Sequence, residues 1–177
     1  MSGARTALIL VDLQQWIVDM PWSPTTGTDV VKSCVRLRDG FAEADAHTVV
    51  LVRHLRADGR DGGAEAPANR LAPALEPRAD ERLVTKDGLD AFQGTDLREH
   101  LNGLAVTRLV LAGLSTAHGV AATAATAVSL GYDVLVVADA TASVSEAEHS
   151  GALARLARLG VRVGLVEDAL PRSVTGG

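Results

Sequence analysis

The sequence predicts an α/β fold: one doubly wound, Rossmann-like sheet of about six mainly parallel strands with helices on both faces. Short, continuous apolar runs recur along the chain, as is typical of strands buried on both faces of a parallel sheet. Segments with helical periodicity or capping signals separate these runs. Strands that alternate with helices form parallel sheets through right-handed crossovers.

The first half of the chain contains two strands, a helix and a long irregular stretch. The apolar run at 7–11 predicts a strand that ends at Asp12, and the run at 48–53 predicts the second strand. A helix is predicted between them, at about 29–46. From 54 to 80, Arg, Asp, Gly, Ala and Pro dominate, and a loop of this length is usually functional or mobile. A lid over the site, a subunit contact and a solvated insertion are the open alternatives.

The second half alternates strands with helices whose ends carry recognisable signals. Thr95 and the Ser143–Glu146 capping box are predicted to begin helices, and Gly131 and Gly160 are predicted to end them. The tail after Pro171 is predicted to be loose. The predicted elements are, in order, a strand at 82–85 ending at Lys86, a helix at 96–101, a strand at 107–111, a helix reaching about Leu130, a strand at 133–137 ending near Asp139, a helix from Ser143 through Leu159, and a strand at 161–166.

Length and composition favour one domain, residues 1–177, and exclude several classes of protein. The chain has 177 residues and a net charge of −5 without long like-charge blocks, which argues against a nucleic-acid partner. No apolar run approaches the roughly 20 residues of a membrane span, and no secretory signal is recognisable, so no membrane partner and a cytoplasmic location are expected. The single cysteine, Cys34, lies on a predicted helix, and we expect it to be a small buried apolar residue.

Three points fall at the carboxyl ends of separate predicted strands: Asp12, Lys86 and the turn from Leu114 to Gly119. In an open α/β sheet such points converge on one crevice, which is where ligands bind. An aspartate and a lysine brought together there could share proton-transfer work, because the cation favours the ionised acid while burial opposes it. For Asp12 alone, a turn residue that closes a strand is the alternative.

Four segments resemble the isochorismatase-like hydrolase superfamily, also called cysteine hydrolases. They are Leu10–Gln14, Thr85–Leu97, Val110–Thr116 and Gly131–Ala140, and their order and spacing match over nearly the whole chain. The resemblance implies a catalytic aspartate at Asp12, a catalytic lysine at Lys86 and a cis peptide near Leu114–Ser115 that helps to form an oxyanion hole.

The nucleophilic cysteine of the amidohydrolase members falls on Gly119 in this sequence. Glycine has no side chain, so thioester chemistry cannot run there, and Cys34 lies too early in the chain to replace it. True isochorismatases also have glycine at this position. The resemblance implies that they cleave a vinyl ether with the aspartate as general acid, which fits Asp12 beside Gly119. The adjacent His118 is one position nearer to the glycine than in those enzymes.

Other residues are candidates for the pocket. Ser115 and His118 could form a nucleophile–base dyad, although a packing or substrate-binding histidine is the competing interpretation. The remaining predicted substrate-binding residues are Gln14, Trp16, Trp22, His54 and Phe92, of which Phe92 could instead pack and position the loop after Lys86. The nicotinamidase metal cluster has no counterpart at 53–58, which holds a single histidine, so neither a metal nor a cofactor is predicted.

Three functions follow from these residues. The first is a cysteine-independent hydrolase of a small molecule, with vinyl-ether cleavage by Asp12. The second is another hydrolase, acting on an amide, lactone or C–N bond, in which Asp12 or His118 activates water. The third is a catalytically degenerate member that binds a metabolite. The expected partners are a small-molecule substrate and further copies of the chain, as a dimer or tetramer.

Overall fold

The computed structural model describes residues 4–44 and 47–172, in which strands and helices alternate. The strands are β1 (Arg5–Val11), β2 (His47–His54), β3 (Arg82–Lys86), β4 (Val106–Leu114), β5 (Asp133–Ala142) and β6 (Arg162–Gly164). The helices are α1 (Gln15–Val18), α2 (Gly27–Ala42), α3 (Leu97–Gly103), α4 (Ala121–Ser129), α5 (Glu146–Arg158) and α6 (Val166–Ala169), with a π-helical turn at Thr116–Val120 and 3₁₀ turns at Pro67–Asn69 and Pro73–Leu75.

The six strands form one parallel sheet in the order β3-β2-β1-β4-β5-β6, which confirms the predicted fold class. The chain builds outward from β1 to β3 and then returns to place β4 on the other side of β1. In a sheet of this order the crevice for a ligand lies at the carboxyl ends of the strands, where the direction of winding reverses.

Helices cover both faces of the sheet, as predicted. Side chains alternate along β1, so Leu8 and Leu10 pack with α2 and α6, whereas Ala7, Ile9 and Val11 pack with α3, α4 and α5. Both faces of the central strands are therefore buried. This burial explains why their sequences read as continuous apolar runs.

The predicted helix ends are partly confirmed. Gly131 and Gly160 have φ angles of 91° and 93° directly after α4 and α5, a conformation that favours glycine. Helix α2 begins at Gly27, two residues before the prediction, because Thr26 Oγ1 accepts a hydrogen bond from Asp29 N at 3.1 Å. It ends at Ala42, and residues 45–46 of the predicted helix lie outside the described residues, as does the tail beyond residue 172.

Two predicted N-caps are wrong. Ser145 caps α5 by accepting a hydrogen bond from Glu148 N at 3.1 Å. Ser143 instead pairs with Ser23 through backbone hydrogen bonds in an isolated antiparallel bridge. Asp96, not Thr95, is the N-cap residue of α3, and its side chain bonds to Arg82 instead of capping the helix. Thr95 Oγ1 still accepts a hydrogen bond from Leu97 N at 3.3 Å, so only Ser143 is displaced by a contact with a distant segment.

The last two strands also differ from the prediction. Strand β5 continues past Asp139 to Ala142, because a register shift opposite Leu111–Gly113 lets it rejoin β4. Strand β6 stops at Gly164, and α6 follows it. Asp168 Oδ2 accepts a hydrogen bond from Leu165 N at 2.8 Å, which begins this short helix where strand was expected.

The long loop after β2 is anchored to α2. Its residues Leu71 and Leu75 are buried in the core beside that helix. Arg38 of α2 donates to the carbonyl oxygens of Ala74 and Glu76 and forms a buried ion pair with Glu81. The loop is therefore a packed part of the fold.

Candidate active site

A cavity of about 280 Å³ opens at the carboxyl edge of the sheet, where β1, β3 and β4 end. It brings together side chains that are far apart in the sequence. The predicted site residues that line it are Asp12, Trp16, Trp22, His54, Lys86, Leu114, Ser115, His118 and Gly119. Of the loop from 54 to 80 only His54 lines the cavity, so this loop does not lie over it as a lid.

Asp12 and Lys86 form a buried ion pair at the base of the cavity. Lys86 Nζ lies 2.8 Å from Asp12 Oδ2 and donates a second hydrogen bond to the Gly88 carbonyl oxygen at 2.9 Å. Parallel pairing of β1, β2 and β3 places the ends of these strands side by side, which brings the two residues together. Asp12 has a φ angle of 52°, an uncommon backbone conformation for a residue other than glycine.

The surroundings of Asp12 favour the protonated acid. Burial raises the pKa of the Asp12 carboxyl, and the charges of Lys86 and His54 oppose this shift without cancelling it. Among the described residues Oδ1 has no hydrogen-bond partner, although it is buried. A buried carboxylate oxygen without a partner is costly, which also favours the neutral form. Both features shift the carboxyl group toward the form that can donate a proton.

Gly119 faces Asp12 directly. A Cβ atom built on this glycine would lie 3.3 Å from Asp12 Oδ2 and 3.1 Å from Val11 Cγ1. The assignment of residue 119 to the position of the family's nucleophile stays a prediction of the resemblance. With glycine at this position, residue 119 presents no side chain to the carboxyl group.

The turn after β4 supplies one wall of the cavity. The expected cis peptide is present between Leu114 and Ser115. The π-helical turn that follows carries His118, whose Nδ1 lies 2.9 Å from Ser115 Oγ. The predicted proximity of these two side chains is therefore observed, and both line the cavity.

The opposite wall is apolar. Trp22 is fixed by a hydrogen bond from its Nε1 to the Ile17 carbonyl oxygen at 2.6 Å, and Trp16 lies on α1 at the mouth. Ile17, Met20 and Leu89 also line the cavity, although they were not predicted as substrate-binding residues. A signal existed for Leu89, because it is an apolar residue in the segment directly after Lys86. It remains 56% exposed.

Gln14 and Phe92 do not line the cavity, so their predicted contact with substrate is corrected. Gln14 is fully buried, and its amide donates to the His54 carbonyl oxygen and accepts from the His54 N–H, which ties β1 to β2. Phe92 packs in the core against Tyr132, with ring centroids 6.0 Å apart. This contact is consistent with the alternative prediction that Phe92 packs and positions the loop after Lys86.

Other candidate groups lie away from the cavity. Cys34 is buried on α2, and burial raises the pKa of its thiol, which makes it inert. Among residues 4–44 and 47–172, no three His, Cys, Asp or Glu side chains cluster in a way that could hold a metal ion. No helix in the same residues is both long enough and apolar enough to cross a membrane.

Comparison with known proteins gives one consistent family. The family model for the isochorismatase domain matches residues 6–168. The uncharacterized isochorismatase family protein YecD of Escherichia coli O157:H7 is 30% identical over 183 residues, which cover 96% of this chain and 97% of that protein. Streptothricin hydrolase of Streptomyces noursei is 36% identical over 140 residues, or 77% of this chain and 54% of that protein. The solved structure of an isochorismatase family protein from Burkholderia thailandensis has a TM-score of 0.86 and 31% identity, with 96% and 97% of the two chains covered.

Proposed function

Since this chain belongs to the isochorismatase family of hydrolases, we propose that it cleaves a vinyl ether of a small molecule without a covalent intermediate, with Asp12 as general acid. One observation carries the proposal: a buried acid faces a nucleophile position that has no side chain. Asp12 Oδ2 would lie 3.3 Å from a Cβ atom at Gly119. Vinyl-ether cleavage needs a proton donor at this point and no nucleophilic side chain.

The reaction begins with proton transfer from the Asp12 carboxyl to the terminal carbon of the C=C bond, whose electron pair forms the new C–H bond. The ether carbon becomes an oxocarbenium ion, and a water molecule adds to it. A proton of that water returns to the Asp12 carboxylate. The resulting hemiketal or hemiacetal breaks into an alcohol and a carbonyl compound, so that one water is consumed and the acid is regenerated.

Lys86 stabilises the ionised form of Asp12, whereas burial favours the protonated form. Its ammonium group, 2.8 Å from Oδ2, stabilises the carboxylate that forms when the proton leaves. Its second hydrogen bond, to the Gly88 carbonyl oxygen, fixes the position of the ammonium group. Burial keeps the pKa of Asp12 raised in spite of this cation, so the acid form stays accessible.

A second candidate function is hydrolysis of an amide or lactone by water that His118 activates. The hydrogen bond between His118 Nδ1 and Ser115 Oγ favours it, because it orients the imidazole at the cavity wall. One relative, streptothricin hydrolase, is also named as a hydrolase, which is compatible with either candidate function. In this reaction His118 would be essential and Asp12 would not need to donate a proton to carbon.

The substitution Asp12→Asn tests the proposal, because an amide cannot replace a carboxylic acid as proton donor. We expect kcat for vinyl-ether cleavage to fall by about 10²- to 10⁴-fold. The assay follows release of the carbonyl product from a panel that contains isochorismate and uncharged vinyl ethers such as cyclohexyl vinyl ether. Circular dichroism verifies that the variant folds.

Asp39→Asn is the matched control, since Asp39 pairs with Arg78 on the surface and does not line the cavity. It should retain full activity. Vinyl-ether cleavage that survives Asp12→Asn would remove Asp12 from the mechanism. Failure of the wild-type protein to cleave any member of the panel would refute the proposed function. Loss of amide or lactone hydrolysis in His118→Ala would then favour the second candidate.

A further inference from the structure

We infer that the substrate is an uncharged vinyl ether with an apolar substituent, and that the cavity discriminates against ethers that carry a carboxylate. This inference builds on the proposed function and specifies its substrate class. It starts from the charges that line the cavity. Among the described residues, Lys86 is the one permanently cationic side chain there.

Lys86 is not available to bind a carboxylate of the substrate. Its side chain is 1% exposed, and its ammonium group is held by Asp12 Oδ2 and the Gly88 carbonyl oxygen. Recruiting it for a substrate anion would take the cation from Asp12. The buried aspartate would then lose the charge that stabilises it after proton transfer.

Arginine, the usual partner of a carboxylate, is not found at this cavity in the described part of the chain. The arginines nearest to it in sequence have other contacts. Arg53 donates to Thr85 Oγ1, and Arg56 forms an ion pair with Asp58. The remaining titratable groups of the cavity are Asp12, His54 and His118, and neither histidine is a permanent cation.

The wall opposite the catalytic turn is suited to an apolar group. Trp16, Met20 and Leu89 have 44%, 37% and 56% of their surface exposed, so a ligand can bury apolar area against them. The indole N–H of Trp22 is already bonded to the Ile17 carbonyl oxygen, so it offers no donor to an anion. The volume of about 280 Å³ suits a small ligand.

A carboxylate in this cavity would lose hydration without gaining a permanent cation as its partner. Burial of an unpaired charge is among the most costly events in a protein interior. The carboxylate of Asp12 would add repulsion whenever the acid is ionised. An uncharged ether avoids both costs and still gains the apolar contacts.

Binding can be measured separately from turnover, because the two tryptophans of the chain, Trp16 and Trp22, both line the cavity. Their fluorescence reports occupancy. The probes are two saturated ethers that cannot be hydrolysed by protonation of a double bond, methyl 2-(cyclohexyloxy)propanoate and free 2-(cyclohexyloxy)propanoate. We expect the carboxylate to bind the wild-type protein at least about tenfold more weakly than the ester. The unsaturated counterparts, the two 2-(cyclohexyloxy)acrylates, should show the same order in kcat/KM.

Leu89→Arg places a cation at the mouth, and Leu89→Gln is its uncharged control. Because Leu89 is exposed, both variants should fold. Both variants should weaken binding of the ester to a similar extent, because both remove the apolar side chain. The arginine should improve carboxylate binding several-fold over the glutamine.

Carboxylate binding as tight as that of the ester in the wild-type protein would overturn the inference, and so would failure of the ester to bind at roughly millimolar concentration. Preferential binding of the saturated ester without cleavage of either acrylate would support the uncharged class and refute vinyl-ether hydrolysis. The two proposals can therefore fail separately.

Discussion

At the scale of single residues, Gly119 determines which chemistry the cavity can perform. Because it has no side chain, residue 119 places no group against Asp12 Oδ2, and Lys86 donates a hydrogen bond to that oxygen. A thiol at this position would make the carboxylate a general base for a nucleophile. Without the thiol, the same carboxyl group is free to act as an acid, for which burial has already raised its pKa.

The assignment of residue 119 can be tested with Gly119→Cys. The new Cβ would lie 3.1 Å from Val11 Cγ1, so we expect a stability loss of about 1–3 kcal/mol with the fold retained. The new thiol should react with iodoacetamide under native conditions, and methyl 2-(cyclohexyloxy)propanoate should protect it. The wild-type protein is the blank, because its single cysteine, Cys34, is buried.

Ser129→Cys is the matched control on exposed surface. Its thiol should react whether or not the ester is present. A thiol at 119 that does not react, or that the ester leaves unprotected, would show that residue 119 does not face the cavity.

The pH dependence of the reaction should depend on Lys86. A general acid works when protonated, so activity is lost as pH rises through the pKa of Asp12 in the folded protein. Lys86 lowers this pKa, and Lys86→Met therefore should move the alkaline limb of kcat to higher pH by about one unit or more. The measurement is the pH profile of vinyl-ether cleavage. Lys32→Met, at an exposed lysine paired with Asp29, should leave the limb in place. A shift to lower pH in Lys86→Met would contradict the role of Asp12.

At the scale of elements, Arg38 of α2 holds the end of the long loop after β2. Arg38 reaches three groups of the loop and its end: the carbonyl oxygens of Ala74 and Glu76, and the carboxylate of Glu81. Burial alone would raise the pKa of Glu81, but the hydrogen bonds and charge of Arg38 outweigh it and hold that pKa below its usual value. The pair is buried, with 2% and 3% of the side chains exposed.

Removal of Arg38 should therefore be severe. Arg38→Met leaves the Glu81 carboxylate buried without its cation and frees two carbonyl oxygens, so we expect a loss of about 3–5 kcal/mol in the free energy of unfolding. Urea denaturation measures it. The control is Arg36→Ala, two residues earlier on α2. Arg36 forms an ion pair with Glu167 in which both side chains are more than half exposed. This variant should lose less than about 1 kcal/mol. Equal losses in the two variants would show that the loop is not anchored through Arg38.

At the scale of the whole molecule, the order of the strands creates the site. Strands β1 and β4 are neighbours although about 95 residues of chain separate Val11 from Val106. Strand β3 lies on the other side of β1, with β2 between them, and it ends at the same carboxyl edge of the sheet. The sheet therefore gathers Asp12, Lys86 and the turn after Leu114 at one end. The exposed apolar rim of Trp16, Met20 and Leu89 lies beside this point, and we propose that it serves substrate binding. Assembly into a dimer or tetramer stays a proposal.

Local sequence signals determined much of this protein. Apolar runs identified the strands because both faces of the sheet are buried. The ends of these runs identified Asp12, Lys86 and the turn from Leu114 to Gly119, and the family resemblance singled out Gly119 within that turn. Helix ends at Gly131 and Gly160 were equally predictable, since the φ angles there depend on the chain within one turn.

Only the tertiary structure decided which side chains meet. Ser143, predicted to cap a helix, pairs with Ser23. Gln14, predicted to bind substrate, is hydrogen-bonded to the backbone of His54. Leu89 lines the cavity, and only its closeness to Lys86 in the sequence pointed to this position. These outcomes depend on contacts between residues tens of positions apart, whose energies are comparable to those of the local signals. Sequence patterns report only interactions between residues close together in the chain. The apolar, cation-poor lining of the cavity depends on residues from several strands, so it cannot be predicted from such patterns.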